Sequence, residues 1–136
     1  MNKTLYLYIC IIVLTVASCD TGYEEKDLFG LWVGVHSGKR LVFKFRHDQT
    51  CELIYVSDDD ESRVIVSGEY QTDFSKKPIS LSIYNIPQLD HPLHTIFDFI
   101  NVDSIKIAQF SPRWRLRPIA FNNNTAMVLG HIRDYR

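Results

Sequence analysis

The stretch RVIVSGEYQ, residues 63–71, alternates with a period of two. Val64, Val66, Gly68 and Tyr70 fall on one side, with Arg63, Ser67, Glu69 and Gln71 mostly on the other. Successive side chains of an extended chain point to opposite faces, so this spacing predicts a strand with one buried face. The same pattern spreads outward from it. LVFKFR, residues 41–46, sets Leu41, Phe43 and Phe45 against more polar neighbours, and ISLSIY, residues 79–84, sets Ile79, Leu81 and Ile83 against Ser80, Ser82 and Tyr84. Further strands are expected near 31–35, 51–56, 95–100, 104–110 and 125–133. Ser37-Gly38, His47-Asp48-Gln49, Asn101-Val102-Asp103 and Asn122-Asn123-Asn124 read as turns, and SDDDES, residues 57–62, as a solvated loop. Pro87 and Pro92 mark a longer loop over 85–94, and Pro112 and Pro118 make 113–121 irregular or partly extended.

Eight short strands joined by local turns predict an all-β fold, an eight-stranded antiparallel up-and-down barrel. Closure removes the exposed edges that an open sheet must protect. A flattened β-sandwich is the alternative that periodicity leaves open. A barrel of this size has room inside for side chains or for one small ligand. Phe43, Phe45, Val64, Val66, Tyr70, Leu81, Ile83, Phe97 and Ile105 are the residues expected to line it.

The chain has 136 residues, with 15 basic and 16 acidic, for a formal net charge of −1. Length predicts one domain. Near-neutrality argues against general nucleic-acid binding.

The first 18 residues have the anatomy of an export signal: Lys3 near the start, the twelve-residue apolar run LYLYICIIVLTV over 5–16, then Ala17-Ser18. A run of that length is short for a permanent membrane span, which needs about 20 apolar residues, and suits a cleavable signal peptide. Cys19 follows the small residues at once. Val16-Ala17-Ser18-Cys19 resembles the lipobox of bacterial lipoproteins, position by position. The resemblance implies diacylglyceryl transfer to the Cys19 sulfur, cleavage before Cys19 and acylation of the new amino terminus. Two or three chains on one residue meet the requirement for stable anchoring, since each buried methylene contributes about 0.8 kcal/mol. The expected organisation is a lipoprotein signal peptide over 1–18, a polar tether over 19–27 and a barrel domain over 28–136. A tether of that length reaches at most about 28 Å. Cys10 leaves with the leader and Cys19 carries lipid, so Cys51 has no partner for an internal disulfide and reads as a small buried strand residue.

Leu28-Phe29-Gly30-Leu31-Trp32 resembles the opening of lipocalin-like domains, in which a Gly-x-Trp pair begins the first strand. The resemblance implies that Trp32 plugs one end of the barrel after Gly30 and that an arginine from late in the chain, Arg117 or Arg133, covers it. Gly68-Glu69-Tyr70-Gln71-Thr72-Asp73, Lys76-Lys77-Pro78 with the strand after it, and Arg117-Pro118-Ile119-Ala120-Phe121 are similar to the G-x-Y-x-x-D, K-x-P and R-P-x-x-F elements of small bacterial extracytoplasmic lipocalin-like domains of unknown function. An arginine stacked on the indole would contribute about 0.5–2 kcal/mol.

Three clusters carry chemistry-bearing residues. Asp58-Asp59-Asp60-Glu61 lacks the glycine and alternating ligands of a calcium loop and reads as a solvated hairpin tip. Asp90, His91 and His94 lack a third fixed ligand nearby, and Pro92 opposes the helical spacing of the two histidines, so no metal site is assigned. His36, His47 and His131 read as exposed or edge residues. In an extended 113–117 segment, Arg113, Arg115 and Arg117 would share one face about 6.6 Å apart and could grip phosphate or carboxylate groups. There is no Gly-x-Ser-x-Gly, phosphate-binding glycine loop or metalloprotease motif.

The function expected is a non-enzymatic, lipid-anchored binding module of the bacterial cell envelope, outside the cytoplasm. It would hold a small apolar or amphipathic ligand in the barrel or at its mouth. The alternative is a protein-interaction module with a solid barrel, an inhibitor, immunity-type protein or assembly accessory. The only added group expected is the lipid on Cys19. The partners expected are the membrane and either a small apolar ligand or an envelope protein. Nucleic acid is not expected, and the chain is read as a monomer. A cleft gathering His91, His94 and Asp98 would instead argue for an enzyme.

Overall fold

The computed structural model describes residues 22–59 and 61–133. Cys19, the leader and Asp60 lie outside them. Eight antiparallel strands run in chain order: β1 (Gly30–His36), β2 (Lys39–Phe45), β3 (Thr50–Val56), β4 (Ser62–Asp73), β5 (Ile79–Tyr84), β6 (Leu93–Asn101), β7 (Ser104–Ile107) and β8 (Met127–Ile132). Each pairs with the next, and β8 closes back onto β1, giving a closed up-and-down barrel. The sandwich alternative is thereby removed, because no sheet edge is left unpaired.

Register decides which residues face inward. Trp32, Phe43, Leu53 and Val66 stand opposite one another across β1–β4, and Phe45, Cys51 and Gly68 form the next inward row. Across the other wall, Ile79, Phe97, Ile107 and Met127 are in register. The β4 alternation that predicts the fold holds from Val66 to Tyr70 and fails at Val64. A bulge at Ile65 leaves Leu53 opposite Val66 but Ile54 opposite Val64. One extra residue reverses which face the rest of the strand shows, so Val64 turns outward and is 41 % exposed.

The ends of several strands also differ from expectation. β7 stops at Ile107, not at 110, and β8 begins at Met127. Between them an excursion over 108–126 first stays beside β6. The Ala108 amide donates to the Ile96 carbonyl, and Ser111 and His94 exchange backbone hydrogen bonds of 2.8 Å each way. β6 begins at Leu93, which moves His94 from the expected loop into a strand. Among the described residues, helix is limited to two 3-10 turns, Glu25–Leu28 and Trp114–Leu116.

The described residues before β1, 22–29, touch the barrel at several points. Tyr23 stacks on Phe99 with ring centroids 4.3 Å apart. Thr72 donates to the Glu25 carboxylate at 3.1 Å. Leu28 is fully buried.

Candidate functional site on the outer flap

An eight-stranded barrel that carries a small ligand would carry it inside. Phe43, Phe45, Val66 and Tyr70 are buried there, as are Leu81, Ile83, Phe97 and Ile105. The inward rings form two contacting groups. Phe43 stacks between Phe110 and Phe45, each 6.2 Å away, and Phe45 meets the edge of Tyr70 at 5.1 Å. A second group, Phe74, Phe97, Phe99 and Trp32, makes edge-on contacts of about 6 Å. Aromatic side chains thus occupy much of the inward face of the barrel. Four pockets of about 190, 250, 410 and 450 Å³ open at the barrel ends or on its exterior.

The lower end is closed by Trp32, which is fully buried and donates from Nε1 to the Leu28 carbonyl at 2.7 Å. The ring lying against it is His131, 4.5 Å away centroid to centroid, and among the described residues no arginine stacks there. His131 Nε2 is 3.0 Å from the Phe29 carbonyl oxygen, which can only accept, so this nitrogen carries the proton. Nδ1 is buried without a partner. Arg133 instead pairs with Asp103 at the β6–β7 turn, and Arg117 lies over a different indole, Trp114. The expectation of an arginine lid fails because β8 pairs His131 directly with Trp32, on the inward face. His131 is therefore half-buried and structural, where an exposed or edge residue was expected. Gly30 sits at φ +119°, and a Cβ there would come within 2.6 Å of His131 Nε2, so the close approach requires glycine.

A second cluster forms outside the barrel. Ser80, Ser82, His94 and Ile96 face outward by register, yet all are buried. The 108–126 excursion crosses this side. Ser82 Oγ and His94 Nδ1 are 2.8 Å apart. The His94 ring packs edge-on against Tyr84 and Trp114, at 5.8 and 5.4 Å. Burial holds the His94 pKa below its ordinary value, and the Arg117 charge adds to this.

The flap, the 113–119 part of this excursion, is built on a 3-10 turn, where an irregular or partly extended segment was expected. The Leu116 amide donates to the Arg113 carbonyl at 3.0 Å and that of Arg117 to the Trp114 carbonyl at 3.2 Å. With three residues per turn, positions two apart do not share a face, so the arginines do not form a row. The Arg117 guanidinium lies 3.7 Å from the centre of the Trp114 ring and donates to the Trp114 carbonyl at 3.0 Å. Lys76 Nζ, from the β4–β5 turn, is 5.3 Å from the same ring. Arg113 and Arg115 are exposed, and neither makes an ion pair among the described residues.

The other candidates separate. His91 bonds the Pro92 carbonyl and stands 3.9 Å from Asp90, while His94 points to Ser82. Among the described residues no three His, Cys, Asp or Glu side chains gather as a metal site. No carboxylate is bonded to the His94 imidazole among them either. Cys51 is buried, and desolvation pushes its thiol up to about 12. Sequence reasoning placed the arginines but missed the roles of Trp114, His94 and Ser82. The alternation in ISLSIY assigned the serines to solvent, and no local signal reveals that a segment thirty residues later covers them.

No protein-family model, no curated protein and no solved structure matches the chain.

Proposed function

We propose that this chain is a bacterial lipoprotein of lipocalin-like type, anchored through Cys19 to a membrane on the extracytoplasmic side, whose barrel is a solid platform that works through its outer surface. The packing of the interior carries this reading: the inward Trp32, Phe43, Phe45, Tyr70 and Phe97 are all buried, and their rings form two contacting groups, which supports a solid barrel over one that holds a ligand. The Val16-Ala17-Ser18-Cys19 sequence supports the anchor. The exterior offers contact area. Val33, Val42, Ile54 and Val64 stand in register across β1–β4, an apolar row on the outside of the wall, and apolar patches of this kind mark contact surfaces. The partner class is an envelope protein, and the activity is binding without catalysis. Ser82 and His94, which form a Ser–His pair, are sealed beneath the flap.

Native mass spectrometry of protein taken from its own membrane tests both parts. The expected spectrum shows a chain beginning at Cys19 with its acyl groups and no retained small molecule. Cross-linking in the intact envelope should then capture a protein partner. A ligand that survives desalting would favour the mouth instead, where Tyr84, Leu89 and Pro92 border a pocket of about 410 Å³.

A further inference from the structure

We infer that the 113–119 flap, with Lys76 and Lys77, is a second membrane contact that recognises anionic lipid headgroups. This inference rests on the anchored reading above and deepens it. Trp114, Leu116 and Ile119 are 40, 67 and 80 % exposed on one short segment. Arg113, Arg115 and Arg117 interleave with them. Indole and aliphatic groups beside guanidinium groups match the boundary between headgroups and acyl chains, where apolar parts enter and cations stay with the phosphates.

The flap is held in shape before any lipid arrives. Its 3-10 turn, the Arg117 stack and the Ser111–His94 bridge fix it to the wall. Position matters as much as composition. Lys77 lines a pocket together with Gly22 and Tyr23, and its neighbour Lys76 reaches the Trp114 ring. The point where the described chain begins is thus on the flap's side of the barrel. Three Cα-to-Cα steps separate Gly22 from Cys19, a span of at most about 10 Å. A membrane holding Cys19 is therefore brought to these cations.

Charge points the same way. Five cations, at 76, 77, 113, 115 and 117, face two carboxylates that border them, Asp73 near Lys76 and Asp98 in the pocket with Lys77. Of the described acids before β1, Glu24 pairs with Lys26, while Glu25 and Asp27 keep their charge and accept hydrogen bonds from Thr72 and from the Glu24 amide. Each cation near an anionic surface strengthens association about fivefold, and tethering at Cys19 raises the local concentration of the flap at the surface.

The chain has two tryptophans, and Trp32 is fully buried. Trp114 therefore reports the contact. The mature protein is mixed with vesicles of phosphatidylcholine alone or with phosphatidylglycerol added, carrying acyl chains brominated near the headgroup. Fluorescence quenching and flotation are read together. Quenching should appear with phosphatidylglycerol, be weak without it, and fall with added salt. Arg113→Ala with Arg115→Ala, both exposed and without ion pairs among the described residues, should reduce it by an order of magnitude or more in lipid titrations. Protein that floats with both vesicles but is never quenched overturns the flap contact and leaves the anchor standing. Equal quenching in both vesicles, unmoved by the double variant, overturns the anionic recognition. If intact mass shows no acyl group, the anchor falls, and phosphatidylglycerol-dependent quenching of the unacylated chain would still uphold the flap.

Discussion

Arg117 and Trp114 form a stacked pair, the guanidinium carbon 3.7 Å from the centre of the indole ring, on the outside of a barrel whose other tryptophan is sealed by a histidine. The pair holds a flap that buries Ser82 and His94 and at the same time exposes apolar side chains. One contact thereby joins the stability of the outer wall to the surface available for binding.

Arg117→Ala removes the stack and the side-chain bond to the Trp114 carbonyl. A cation–π contact at a part-exposed site is worth about 0.5–1 kcal/mol, so global stability should change little. The 3-10 turn should open more often. Hydrogen exchange at the Leu116 and Arg117 amides should quicken severalfold, while the β1–β4 amides keep their protection.

His131→Ala should be much more costly, because it empties space against Trp32 and leaves the Phe29 carbonyl without its donor. An unpaired buried group costs about 1–3 kcal/mol, and the lost packing adds to it. Urea unfolding should show the loss, and the Trp32 near-ultraviolet dichroism should weaken. If an arginine lid were equivalent, His131→Arg would preserve both signals; it is expected to lose them.

Phe97→Ala and Val64→Ala separate inside from outside. Phe97 is fully buried among Phe74, Phe99 and Ile79, and its truncation should cost about 3–5 kcal/mol. Val64 faces outward beyond the β4 bulge, and its truncation should stay within about 0.5 kcal/mol. Equal effects in urea titrations would contradict the register of the β4 strand.

Stability should be greatest between mildly acidic and mildly alkaline pH. His94 is held below its ordinary value of 6.5, chiefly by burial. Below 6.5 the unfolded chain takes up a proton that the folded one resists, so stability is lost as pH falls toward the depressed folded value. On the alkaline side, burial raises Tyr70 above 10.0 and carries Cys51 from 9.0 to about 12. The unfolded thiol and phenol ionise first, so stability falls as pH rises through 9 and 10. Thermal melts from pH 5 to 11 read both limbs. His94→Gln should flatten the acid limb, and Cys51→Ala should reduce the alkaline one. Native Cys51 should resist thiol reagents at pH 8.

Gly30→Ala combines a backbone penalty at φ +119° with overlap on His131 Nε2. Strain of that kind costs about 1–3 kcal/mol. A drop in melting temperature with loss of the Trp32 signal is expected, and an unchanged melt would show that the end of the barrel yields easily.

Local chemistry was enough for an all-β chain of eight strands, while the choice of a closed barrel over a sandwich came from the tertiary structure. Alternation in RVIVSGEYQ and ISLSIY, with turn residues between strands, determined an all-β chain of eight hydrogen-bonded neighbours, because side-chain parity and turn preference act over a few residues. What sequence could not decide depended on contacts across the chain. A single bulge at Ile65 turned Val64 outward. β8 brought His131, not an arginine, onto Trp32, from about a hundred residues away. The 108–126 excursion folded back over Ser82 and His94 and curled its arginines into a turn. Parity along one strand has no knowledge of what packs on its outer face. Which side chains face inward, and which the 108–126 excursion covers, depended on all eight strands closing.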